Sequence, residues 1–116
     1  MPLVARLTGH APELMRPPDG ATDDDLEKTM KDLGLAQILW SVTAKDYATT
    51  DTALIEKRVL DGAKRHGIVL LHERYAGTVP AVPDIIRILR DQEYTFVTVS
   101  QLMARAEPQP GEVYRP

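Results

Sequence analysis

The aliphatic run Ile68-Val69-Leu70-Leu71 closes on a histidine, His72, with Glu73 behind it. Such a run reads as a strand buried on both faces, as parallel strands are. An imidazole at the C-terminal end of that strand sits where parallel α/β folds build their sites. Two more polar groups hold equivalent places: Arg16 after Glu13-Leu14-Met15, and Asp46 shortly after Ile38-Leu39-Trp40-Ser41-Val42. A cation, a carboxylate and an imidazole at three successive strand ends are expected to meet along one edge of one sheet. An imidazole beside a carboxylate is the equipment of proton transfer.

The elements that must position these groups alternate between strand and helix. Leu14-Met15-Arg16 is a short strand ended by the turn Pro17-Pro18-Asp19-Gly20, which pairs two fixed φ angles with a permissive glycine. Thr22 or Asp23 caps a helix whose first turn holds Asp24, Asp25 and Glu27, favourable at the positive end of its dipole. Leu26, Met30 and Leu33 recur on one face of it, and Gly34 supplies the stop. A strand over Ile38–Val42 follows, then a polar loop from Thr43 to Thr50. The next helix runs from about Asp51 to Arg65 with Ile55, Val59 and Ala63 inward. After the His72 strand comes a loop, Arg74 to Pro80. A helix over Pro83–Asp91 then turns Val82, Ile85, Ile86 and Leu89 to one face. Phe96-Val97-Thr98-Val99 is the last strand, and Ser100 caps a short helix through Ala104.

This pattern predicts one α/β domain over residues 1–106: an open, mostly parallel sheet of about four strands with alternating helices. Parallel barrels need about eight strands, so the sheet resembles part of an incomplete (β/α) barrel with at least one unprotected edge. Residues 107–116 hold three prolines and few apolar groups and are expected to form a flexible tail.

Composition narrows the function classes. The 116 residues suffice for one modest core, and a net charge of −3 with 14 scattered Lys and Arg gives no basic field for nucleic acid. No cysteine is present, so disulfide and thiolate chemistry are excluded. No apolar run approaches membrane-spanning length. The opening Met1-Pro2-Leu3-Val4-Ala5-Arg6 lacks the pattern of a signal peptide, and localisation stays open.

Arg16-Pro17-Pro18-Asp19-Gly20 is similar to the Arg-Pro-Pro-Tyr-Gly turn of the polysaccharide deacetylases, the NodB-homology family of metal-dependent carbohydrate esterases. Trp40-Ser41-Val42-Thr43-Ala44-Lys45-Asp46-Tyr47 resembles that family's Trp-Ser-Val-Asp-x-x-Asp-Trp segment. Val69-Leu70-Leu71-His72-Glu73 resembles its Leu-x-Leu-His-Asp segment, and the stretch from Tyr94 to Leu102 looks like its last strand and helix. The resemblance spans about Gly9 to Met103 and matches the C-terminal half of the family domain. It implies removal of an N- or O-acetyl group from a carbohydrate polymer, with a metal such as zinc or cobalt as Lewis acid. On that resemblance His72 would be the general acid, Asp46 would support it, and Arg16 would orient a base carboxylate. Leu71 would line the pocket for the acetyl methyl. Tyr47 and Tyr75, in loops on the active edge, are candidates for stacking on a sugar. Trp40 is a third candidate, for which core packing competes.

Some family features are missing or altered. The Thr-Phe-Asp-Asp and His-Ser/Thr-x-x-x-His segments, which supply the base and the metal ligands, do not occur in the sequence. No metal ligand is assigned, and Asp23-Asp24-Asp25 is explained by capping. Asp19, Thr43, Tyr47 and Glu73 stand where the family has tyrosine, aspartate, tryptophan and aspartate. Asp19 would put negative charge near a developing oxyanion, the wrong sign for stabilising it. The expectation is a deacetylase-like chain that is inactive alone; the alternative is a degenerate, non-catalytic module that binds a glycan or a partner. The open sheet further predicts self-association through the first strand, near Leu14.

Overall fold

A computed structural model describes residues 2–116; Met1, the first residue of the expected domain, lies outside the described residues. In chain order the elements are α1 (Pro2–Thr8), β1 (Leu14–Met15), α2 (Asp24–Asp32), β2 (Ala36–Ile38), β3 (Val42–Thr43) and α3 (Thr52–Gly62). There follow β4 (Val69–Leu70), α4 (Thr78–Asp91), α5 (Val99–Ala106) and β5 (Val113–Tyr114). Strands largely alternate with helices, and among the described residues every pairing is parallel, the α/β class that the sequence pattern predicts. The chain divides into two compact units, one running to Leu39 and resuming over Val99–Arg115, the other Trp40–Thr98.

The first unit holds a three-stranded sheet of order β1-β2-β5, with Met15 opposite Gln37 and Ile38 opposite Tyr114. Asp23 caps α2 by accepting from the Leu26 N–H at 2.7 Å, which satisfies one of the orphan donors of the first turn. Met30, Leu35, Ala36, Ile38 and Met103 are among its buried apolar residues.

The expected tail is ordered where it meets this sheet. Glu112 C=O accepts from Gln37 N–H at 2.8 Å, Tyr114 C=O accepts from Leu39 N–H at 3.0 Å, and Gly111 N–H donates to Leu35 C=O at 2.8 Å. Gly111 has φ of +85°, and a Cβ there would lie 2.7 Å from Lys31 Cβ and 2.9 Å from the Glu27 carbonyl oxygen. A proline-rich segment with few apolar groups thus gains its order from main-chain pairing, which composition does not report.

The second unit holds the two-stranded sheet of β3 and β4, with Val42 opposite Val69 and Thr43 opposite Leu70. Its core is Ala44, Ile55 and Val59 packed with Ala81, Ile85 and Leu89, and Leu60, Ala63, Leu71 and Tyr94 lie against it. Asp51 caps α3 through its side chain, which accepts from Leu54 N–H at 3.2 Å.

Three sequence expectations are corrected here. The strand over Ile38–Val42 is interrupted at Leu39–Ser41, where the Ser41 hydroxyl donates to Ile68 C=O at 3.1 Å and accepts from Ile68 N–H at 2.9 Å. A side chain takes over a ladder position there, and the strands before and after the break belong to different sheets. The strand at Phe96–Val99 does not form: Phe96 and Val97 are half-exposed outside any element, and Val99 already opens α5. Apolar content alone does not make a strand, which also needs a neighbouring ladder for its main chain. Finally, α4 starts at Thr78 rather than Pro83. Pro80, in the first turn, needs no N–H there, while Pro83 lies inside the helix.

Candidate functional site

Parallel pairing brings the C-terminal ends of β3 and β4 to one edge of their sheet. After β3 the chain turns sharply: Lys45 has φ of +50° and ψ of +43°, a left-handed conformation that costs a non-glycine residue about 1 kcal/mol or more. Two contacts hold the turn. Thr43 Oγ1 accepts from Lys45 N–H at 3.1 Å, and Arg58 donates through Nη1 to Ala44 C=O at 2.9 Å. A single 3-10 turn over Asp46–Ala48 follows, so the Asp46 side chain is carried inward and is only 1% exposed.

The Asp46 carboxylate gathers three donors from the neighbouring strand end and from α4. Oδ2 accepts from the His72 backbone N–H at 2.6 Å and from the Thr78 hydroxyl at 2.8 Å. Oδ1 lies 3.0 Å from His72 Nδ1. Burial pushes this carboxyl up, but the His72 ring, the Thr78 hydroxyl, the His72 N–H and the attraction of the imidazole outweigh it, and the net effect holds it below the ordinary 3.8. An ionised Oδ1 can only accept. Nδ1 therefore carries the proton, and Nε2, on the opposite edge of the ring, is the nitrogen left for proton exchange. The His72 side chain is 30% exposed, so the ring is accessible while its orienting carboxylate is not.

An open groove of about 530 Å³ lies beside this pair, lined by Asp46, Tyr47, Ala48, Thr49, Thr50, Tyr75 and Ala76. Tyr75 meets His72 edge to face at 5.6 Å, and the Arg74 guanidinium sits 5.0 Å over the Tyr75 ring. Tyr47 is 59% exposed. The surface offers aromatic faces and hydroxyls, apolar bodies with polar tips.

Of the residues singled out from sequence, Asp46 and His72 are brought into direct contact, with Tyr47 and Tyr75 lining the adjoining groove. Leu71 packs against the core of the second unit, and Trp40 is half-buried at its start. Arg16 is exposed just beyond β1. That strand belongs to the three-stranded sheet and not to the sheet of β3 and β4, so the expected sharing of one sheet edge by Arg16, Asp46 and His72 is corrected. Thr78 lies in a segment that reads as a loop from sequence, and only its placement directly after Gly77 hints at a helix start.

Among the described residues, no three His, Cys, Asp or Glu side chains group so as to hold a metal ion. Asp46 is engaged with its three donors, and His72 is the single imidazole of the cluster. The residues present do not fit a zinc or cobalt ion, which needs three or four convergent donors. No helix among the described residues is long and apolar enough to cross a membrane.

No family model matches the chain, but individual proteins do. It is 35% identical over 100 residues to the peptidoglycan-N-acetylmuramic acid deacetylase PdaC of Bacillus subtilis strain 168, an alignment that covers 86% of this chain and 21% of that protein. It is 39% identical over 97 residues to a peptidoglycan-N-acetylglucosamine deacetylase of Bacillus cereus, covering 79% of this chain and 46% of the relative. Among solved structures, the T48 deacetylase with substrate superposes with a TM-score of 0.86 at 30% identity, covering 97% of this chain and 55% of that one. The chain thus spans about half or less of the length of these relatives.

Proposed function

We propose, from the premise that this chain belongs to the polysaccharide deacetylase family of carbohydrate esterases, that Trp40–Thr98 carries the proton-delivering side of an acetyl-removing site. The chain corresponds to a fragment of that family's (β/α) barrel. The observation that carries the reading is the 3.0 Å contact between the buried Asp46 Oδ1 and His72 Nδ1. It supports His72 as a general acid: when the acetyl C–N or C–O bond breaks, Nε2 hands its proton to the departing amine or alcohol. Asp46 holds the ring in place through Nδ1. Tyr47 and Tyr75 receive the sugar, and the substrate class is an acetylated polysaccharide of the kind the relatives' names specify, such as peptidoglycan.

Acetyl transfer to water needs a base and an electrophile as well. The Thr-Phe-Asp-Asp and His-Ser/Thr-x-x-x-His segments that supply them in the family do not occur in the sequence. On this reading the chain alone releases no acetate, and Arg16 is the cation available to a base carboxylate contributed by another segment. The test is acetate release from acetylated peptidoglycan fragments with added zinc or cobalt, by the chain alone and mixed with the non-overlapping segment of the B. cereus relative. The chain alone should be silent. Any activity of the mixture should fall by about 100-fold or more with His72→Ala. Acetate release by the unmixed chain, or activity indifferent to His72→Ala, would overturn the proposal.

The groove also supports a second reading, a module that binds glycan without chemistry. Calorimetric binding of the same fragments without metal, weakened about tenfold by Tyr75→Ala, would favour it. Self-association through β1, an edge strand of its sheet, is the partner proposal, and a strictly monomeric elution at high concentration would remove it.

A further inference from the structure

We infer that Thr78 is a positioning residue for His72: its hydroxyl anchors Oδ2 of Asp46, commits Oδ1 to the Nδ1 edge of the ring, and so decides which imidazole nitrogen is presented. The functional consequence rests on His72 acting as the proton donor; the geometry stands without it. Asp46 and Thr78 are 1% and 2% exposed, so neither oxygen of the carboxylate can turn to bulk water for a missing donor. Oδ2 has the His72 N–H and the Thr78 hydroxyl, and Oδ1 has the ring. Remove the hydroxyl and one lone pair of Oδ2 is buried unpaired, which favours rotation of the carboxylate away from the ring.

Thr78 is held in place for this contact. It is the first residue of α4, behind a glycine N-cap with no side chain of its own. A threonine beside a helix start commonly satisfies nearby N–H groups of its own turn; this one donates instead across 32 positions of sequence. Gly77 fixes the register. Its carbonyl accepts from Thr52 Oγ1 at 3.0 Å, and a Cβ at Gly77 would lie 2.8 Å from the Thr50 carbonyl oxygen and 2.9 Å from Ile55 Cδ1. The start of α4 is thereby clamped to the start of α3, and the hydroxyl cannot drift from Asp46.

The test is the nitrogen-15 and proton NMR spectrum of the His72 ring in the full chain. The parent protein should show Nδ1 protonated, with a slowly exchanging Nδ1 proton. In Thr78→Val that proton should exchange at least about tenfold faster, with mixed tautomers, and Thr78→Ser should restore the parent spectrum. A folded Thr78→Val protein with an unchanged His72 ring would overturn the inference. Should Thr78→Val not fold, the parent protein still decides: the Thr78 hydroxyl proton should be protected and close to the His72 amide proton, and a freely exchanging hydroxyl would overturn it. These readouts need no acetate release, so a failure of the deacetylase reading and a failure of the Thr78 assignment are separately visible.

Discussion

Two of the buried polar side chains, Asp46 and Gln37, lie under opposite circumstances. In the Trp40–Thr98 unit, Asp46 receives three donors from two separate stretches of chain. In the other unit, Gln37 on β2 is 0% exposed, yet neither Oε1 nor Nε2 has a hydrogen-bond partner among the described residues. Its backbone is satisfied, since its N–H donates to Glu112 C=O at 2.8 Å. Gln37 is therefore buried because its strand is central in a sheet, whereas Asp46 is buried because donors converge on it. Burial of a polar group does not by itself mark a site; convergence of complementary groups does.

The comparison can be broken most forcefully at Asp46. Asp46→Ala leaves the His72 N–H, the His72 ring and the Thr78 hydroxyl without their acceptor, and should cost about 3 kcal/mol or more in urea unfolding. A loss under about 1 kcal/mol would mean that the cluster is held by its surroundings and not by the carboxylate.

Acid provides the next test. The folded Asp46 carboxyl lies below its ordinary 3.8, so its contribution to stability is fully present above that value and is lost as pH falls through the folded value. Stability of the parent protein should therefore drop on going below about pH 4 more steeply than that of Asp46→Asn. Parallel acid curves would separate Asp46 from the acid response. At Gln37 the sign reverses: Gln37→Leu removes two unpaired polar atoms at similar volume and should raise stability by about 1 kcal/mol in the same urea assay. A comparable loss would show that the carboxamide is satisfied after all. The smallest effect belongs to the surface pair Lys57–Asp61, 2.5 Å apart but 70% and 64% exposed. Lys57→Gln should change stability by no more than about 0.5 kcal/mol.

Much of this was legible from local signals. Asp23 and Asp51 begin their helices by capping, and a capping side chain contacts residues only three positions away. The stripe Ile55–Val59 emerges fully buried because a helical period is a local property. The proximity of Asp46 and His72 followed from two strand ends and parallel pairing. Less legible were features set by distant partners. Gly111, Val113 and Tyr114 look like tail residues until the ladder of β2 is known, and the apolar stretch Phe96–Val99 looks like a strand although no ladder receives it. The contact of Thr78 with Asp46 carries no signal in sequence, since its partner is 32 positions away.

From its residues alone this chain declared parallel α/β architecture, the apolar stripes of α3 and α4, and an imidazole placed beside a carboxylate. Each of those rests on periodicity or on strand-end position, which neighbouring residues dictate. Tertiary structure alone decided that the run Ile38–Val42 splits between two sheets, that the C-terminal residues complete one of them, and that Thr78 supplies the third donor to Asp46. The reason is common to all three: hydrogen-bond partners across a fold are assigned by the packing of whole elements, and no short window of sequence contains both ends of such a bond.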